Sequence, residues 1–95
     1  MKENLRAHLS ISGIVQGVFF RSHTREVATS LHIAGWVRNL RDGRVEVIVE
    51  GPKDKIDQFI RWCHKGPPCA SVDTVEIEWQ VATGEFNNFE IRYRH

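Results

Sequence analysis

Trp36-Val37-Arg38-Asn39-Leu40-Arg41-Asp42-Gly43-Arg44-Val45-Glu46-Val47-Ile48-Val49-Glu50 is the stretch that decides the fold. Asp42-Gly43 is a strong short hairpin signal, because both residues tolerate positive φ. Trp36 to Leu40 and Val45 to Glu50 then become a pair of antiparallel strands at the centre of the chain. Working outward in both directions, the apolar period changes from strand to helix. Upstream, Phe20, Thr24, Val27, Ala28 and Leu31 fall on one helical stripe, with Gly35 as a stop just beyond it. Downstream, Ile56, Phe59, Ile60 and Cys63 do the same, so a second helix runs from Lys53 to Lys65. Gly66-Pro67-Pro68 ends it, since proline cannot continue the hydrogen-bond ladder.

The outermost elements are strands. Leu5, Ala7, Leu9 and Ile11 alternate with Arg6, His8, Ser10 and Ser12, and Val75, Ile77, Trp79 and Val81 alternate with Thr74, Glu76, Glu78 and Gln80. Phe89, Ile91 and Tyr93 predict a short fifth strand. The order is β-α-β-β-α-β with an extra strand at the end. Helices with one apolar face and strands with one apolar face imply two layers. The expectation is an α+β, ferredoxin-like βαββαβ two-layer sandwich: an antiparallel sheet, two helices on one face, and a short extra C-terminal strand.

Composition bounds the rest. Ninety-five residues suffice for one core and are too few for two, so residues 1–95 are read as a single domain. The chain is 41% hydrophobic and 26% charged, with formal net charge +1. No broad field draws it to nucleic acid or an acidic membrane, and any anion site must be local. Met1 to Ile11 has no signal-peptide run, and no stretch is long and apolar enough to span a bilayer, so the expected compartment is the cytoplasm. Cys63 and Cys69 match neither a redox nor a zinc spacing, and Cys63 falls on the apolar face of the second helix.

Gly13-Ile14-Val15-Gln16-Gly17-Val18-Phe19-Phe20-Arg21 joins the first strand to the first helix. Backbone N–H groups in such a glycine-bracketed turn can converge on an anion, helped by the positive end of the helix. Arg21 at a helix start is unfavourable to the macrodipole unless an anion lies between it and the loop. Its planar fork suits phosphate oxygens. The same segment reads equally well as a glycine-assisted loop with a surface arginine. It is not a nucleotide-binding Walker A loop, because Val18-Phe19 follows Gly17 where Lys and Ser or Thr are required. Asn39 lies just before the Asp42-Gly43 turn, and asparagine is depleted in strands; its amide can orient a water, although an asparagine beside a turn is more often structural.

Together, residues 13–21 and 35–46 resemble the two signature stretches of the acylphosphatase family, G-x-V-Q-G-V-x-[FY]-R and G-W-V-[RK]-N-x-x-D-G-x-[VA]-E, with every specified position met. The element order and the Phe89-Glu90-Ile91-Arg92-Tyr93 ending are also similar to that family. The resemblance implies an enzyme that hydrolyses the carboxyl-phosphate anhydride of acyl phosphates. Arg21 would bind the phosphoryl group, with the amides of Gln16, Gly17, Val18, Phe19 and Phe20 completing the cradle. Asn39 would orient the attacking water. No cofactor and no metal are expected, and inorganic phosphate or sulfate should compete with substrate.

Other readings fit less well. His8, His23, His32, His64 and His95 lack metal-ligand spacing, and His23 reads as a solvated helix residue. The carboxylates are scattered singly and read as solvated surface. RNA-binding modules with the same element order stack bases on aromatics of the third strand, which here is Val45 to Glu50 with none. A ligand-sensing domain that only binds an anion would lack turnover. A module of a larger carbamoyl-phosphate-handling protein is a further alternative, with a free-standing monomeric enzyme preferred.

Overall fold

A computed structural model describes residues 3–93. Five strands and two helices follow one another as β1 (Asn4–Ile14), α1 (Phe20–Ser30), β2 (Ala34–Asn39), β3 (Val45–Pro52), α2 (Lys53–Lys65), β4 (Ser71–Val81) and β5 (Phe89–Arg92). They form one sheet in the order β4-β1-β3-β2-β5. The first four strands pair antiparallel, while the extra strand β5 joins the far edge parallel to β2, an orientation that alternation alone cannot specify. Alternation sorts the faces. Ala7, Leu9, Ile11, Val37, Val45, Val47 and Val49 are fully buried in one core with Phe20 and Ala28 of α1 and Ile56, Phe59 and Cys63 of α2. Burial pushes the Cys63 thiol well up, as its apolar position implies; Cys69 is exposed, and both are free.

Two turns differ from their sequence reading. Helix α1 ends at Ser30, followed by His32 in the left-handed region at φ 57°; Gly35 is not its stop but lies inside β2. Gly35 is required by close approach: a Cβ there would sit 1.9 Å from the Ile48 carbonyl oxygen of β3. The hairpin closes through Leu40 N–H to Arg44 O (2.8 Å) and Gly43 N–H to Leu40 O (3.2 Å). The loop is therefore Arg41 to Gly43, with positive φ at Gly43 and not at Asp42. The bonding is that of a three-residue hairpin closed by a glycine bulge.

The chain must cross the whole sheet between Val81 and Phe89. Four strand spacings amount to roughly 19 Å, and the intervening segment reaches roughly 25 Å when extended. Little slack remains, and Glu50 takes it up. Its carboxylate accepts from Arg6 Nε (2.7 Å), Thr83 N (2.9 Å), Thr83 Oγ1 (3.2 Å) and Gly84 N (3.0 Å). At 7% exposure Glu50 is a buried hub, not the solvated carboxylate expected from the sequence. Glu46 departs from that expectation too, bridging His8 Nε2 (2.7 Å) and Arg38 Nε (2.6 Å).

Burial pushes the Glu50 carboxyl up, but the donors of Thr83, Arg6 and Gly84 outweigh it and hold the group below the usual carboxylate range. A depressed folded-state value means that its stabilisation is complete above the unfolded carboxyl value and is lost as pH falls through the folded one. Glu50→Gln should cost about 2 kcal/mol near neutral pH, since it removes a charged acceptor from several donors. Urea unfolding across the acid range checks both parts: the wild type should lose stability on acidification more steeply than Glu50→Gln.

Candidate active site

The loop between β1 and α1 is anchored at both ends. Val15 and Phe20 are buried, and the Phe20 ring lies 5.6 Å from that of Trp62 on α2. Between them the backbone takes left-handed values twice, at Gly17 (φ 75°) and at Phe19 (φ 62°, ψ 25°), the residue that precedes the first turn of α1. Left-handed residues in such a loop can turn neighbouring backbone N–H groups toward a common side, as in an anion nest. For glycine this is free; for phenylalanine it is strained.

The strain is held in place by hydrogen bonds. The Phe19 carbonyl accepts from His23 N (3.2 Å), His23 Nδ1 (2.9 Å) and Ser22 Oγ (3.1 Å). A carbonyl only accepts, so the His23 ring carries its proton on Nδ1. His23 is thus a backbone tie and not merely a solvated helix residue. The loop is also tied to the hairpin. Gln16 Nε2 donates to Leu40 O (2.8 Å) and Arg44 O (2.9 Å), which fixes the loop against the end of β2.

Asn39 is that end. It shares Val37's face of β2 and so points into the helix layer, toward the start of α1. Its Oδ1 is buried and has no hydrogen-bond partner among the described residues. Such an acceptor is costly in a native protein and calls for a donor such as a bound water or ligand.

Gly17, Phe19, Arg21, Asn39, Ile91 and Tyr93 border one cavity of about 300 Å³, with Val15, Phe20 and Ser22 completing its wall. Of the residues singled out from the sequence, the cavity brings together Gly17, Phe19, Phe20, Arg21 and Asn39. Gln16 and Val18 do not border it: Gln16 reaches the hairpin, and Val18 packs on the core. Arg21 Cζ stands 4.9 Å from the centre of the Tyr93 ring, and no carboxylate among the described residues pairs with it. The guanidinium therefore keeps its edge donors for something else. No Asp, Glu, His or Cys among the described residues borders the cavity, so Arg21 is its one charged group, beside the neutral polar side chains of Ser22, Asn39 and Tyr93. The other histidines lie elsewhere: His8 bonds Glu46, His32 and His64 lie at helix ends, and His95 is outside the described residues.

Sequence reasoning did not single out Gln16's side chain, Ile91 or Tyr93 for the site. Tyr93 follows β5, whose register sets Arg92 beside Arg38 and hence Tyr93 beside Asn39. Only the parallel placement of β5 reveals that neighbourhood. No short-range pattern carries it.

Comparison with known proteins fits this geometry. Residues 7–91 match the family model described as Acylphosphatase. An acylphosphatase of Pelotomaculum thermopropionicum is 50% identical over 88 residues, covering 93% of this chain and 96% of that one. Among solved structures, the acylphosphatase from Bacillus subtilis superposes with a TM-score of 0.91 at 32% identity, over 94% of this chain and 99% of that one. The acylphosphatase from Coxiella burnetii does so with a TM-score of 0.89 at 38% identity, over 95% and 94%.

Proposed function

This chain belongs to the acylphosphatase family and is an acylphosphatase enzyme; from that premise we propose that a water held by Asn39 attacks, in line, a phosphoryl group held by Arg21 and the 16–20 loop amides. The observation that carries the proposal is the buried Oδ1 of Asn39, without a hydrogen-bond partner among the described residues, in the cavity that Arg21 also borders. A phosphate offers Asn39 Oδ1 only acceptors unless it is protonated, whereas a water offers donors. Arg21 and the amides suit the phosphate, and Asn39 suits the water.

The bond chemistry needs little else. The water oxygen forms a bond to phosphorus as the bond from phosphorus to the bridging oxygen breaks, and the carboxylate leaves with the electron pair. A carboxylate with a conjugate acid of pKa about 4 departs unprotonated, so no general acid is required. A phosphoryl oxygen of the substrate takes the water's proton. The transition state is loose and spreads charge over the phosphoryl oxygens, so positioning and charge stabilisation carry the rate.

The same reading makes residues 1–95 one acylphosphatase-like domain, active as a cytoplasmic monomer without metal or cofactor and inhibited by phosphate or sulfate. No described helix is long and apolar enough to cross a membrane. Hydrolysis in water enriched in heavy oxygen tests the route: the label should appear in inorganic phosphate. Label in the carboxylate would mean attack at the acyl carbon, and the assigned roles of Arg21 and Asn39 would be wrong.

A further inference from the structure

The acyl half of the substrate has no assigned contact, and Phe19 is the residue built to supply one. Phe20, Phe59 and Phe89 are buried in the core, and Phe86 lies under Arg6. Phe19 is 76% exposed, borders the cavity, and has no ring or cation partner among the described residues. Its backbone is left-handed, where glycine or asparagine would sit without strain. Its carbonyl is fixed by the three donors of Ser22 and His23. A pinned backbone and two side-chain torsions make the ring a nearly preorganised surface.

Geometry indicates what that surface meets. In-line displacement puts the leaving group opposite the attacking water. Asn39 stands on the sheet wall of the cavity with Tyr93 beside it, whereas Phe19 stands on the loop wall. Resting on the functional reading above, we infer that Phe19 is a specificity-determining residue whose ring packs against the acyl group. The enzyme therefore favours acyl phosphates with aromatic or bulky apolar acyl groups over acetyl-sized ones.

The test compares kcat/KM for benzoyl phosphate and acetyl phosphate in the wild type, Phe19→Gly and Phe19→Tyr. Taking each variant's ratio against the wild-type ratio cancels the intrinsic difference between the two leaving groups. Phe19→Gly relieves the left-handed strain, so it should be at least as stable as the wild type. The benzoyl-to-acetyl ratio should fall roughly 10-fold in Phe19→Gly, chiefly through KM for benzoyl phosphate, as expected for loss of an aromatic contact and its buried area. The ratio should be restored in Phe19→Tyr, and any change in phosphate binding acts on both substrates alike and cancels in the ratio. A ratio in Phe19→Gly within about twofold of the wild type overturns the inference while leaving the hydrolytic reading standing. A wild type inert toward both substrates overturns that reading itself, and this inference with it.

Discussion

Arg21→Lys is expected to lose roughly 10³-fold or more in kcat/KM for an acyl phosphate, and Arg21→Ala at least as much. The lysine variant is the more instructive, because it keeps the charge. Two features of the site depend on the guanidinium plane. It lies 4.9 Å from the Tyr93 ring centre, which supports it from one side, and it can present two parallel N–H bonds to phosphoryl oxygens. An ammonium offers neither the plane nor the fork. On the proposed mechanism both ground and transition states contact Arg21, so KM should rise as kcat falls, and inhibition by phosphate should weaken in step. Steady-state kinetics with benzoyl phosphate checks the prediction; a lysine variant within a few-fold of the wild type would show that charge alone suffices.

Asn39→Ala should separate positioning from binding. On the proposed mechanism Asn39 meets the water and not the phosphate, so kcat should drop by roughly 10²–10³ while inhibition by phosphate stays nearly constant. Stability should be retained. Asn39 Oδ1 is buried and makes no hydrogen bond to another described residue, so truncation to alanine breaks no bond of that oxygen within the fold. The variant should therefore unfold at a denaturant concentration close to or above that of the wild type. Such a pairing of lost activity with retained or increased stability marks a group held for function. Kinetics, phosphate inhibition and urea unfolding on one preparation decide it. A fully active Asn39→Ala would return this asparagine to the hairpin.

The layers of the fold were legible because apolar spacing and burial are the same physical fact. The stripe Ile56, Phe59, Ile60 and Cys63 is the buried face of α2, and its reading from Lys53 to Lys65 matches the helix. Gly35 misled for a physical reason. A glycine after a helical stripe looks like a stop, but this one answers to Ile48 O across the sheet, a contact between strands. Glu50 misled in the same way, since its donors arrive from Arg6 and Thr83, far away in sequence. In the site, Arg21, Asn39 and the loop stood out through residue types that their local structure does not favour. Gln16, Ile91 and Tyr93 did not, because their places depend on how the hairpin and β5 dock against the loop.

Positioning and charge stabilisation suffice only when the leaving group departs without a proton. Arg21 and Asn39 border the cavity with no Asp, Glu, His or Cys among the described residues to protonate a poor leaving group, and the one phenol there, Tyr93, has its ring 4.9 Å from Arg21 Cζ. One measurement addresses this directly: kcat/KM for benzoyl phosphate beside that for an alkyl phosphate monoester, on the same wild-type preparation. The acyl phosphate should turn over readily and the alkyl ester should be nearly inert, because an alkoxide cannot leave unaided. Comparable values for the two would contradict departure of the leaving group without a proton and would assign a general acid to the cavity, where Tyr93 carries the one phenol among the lining residues.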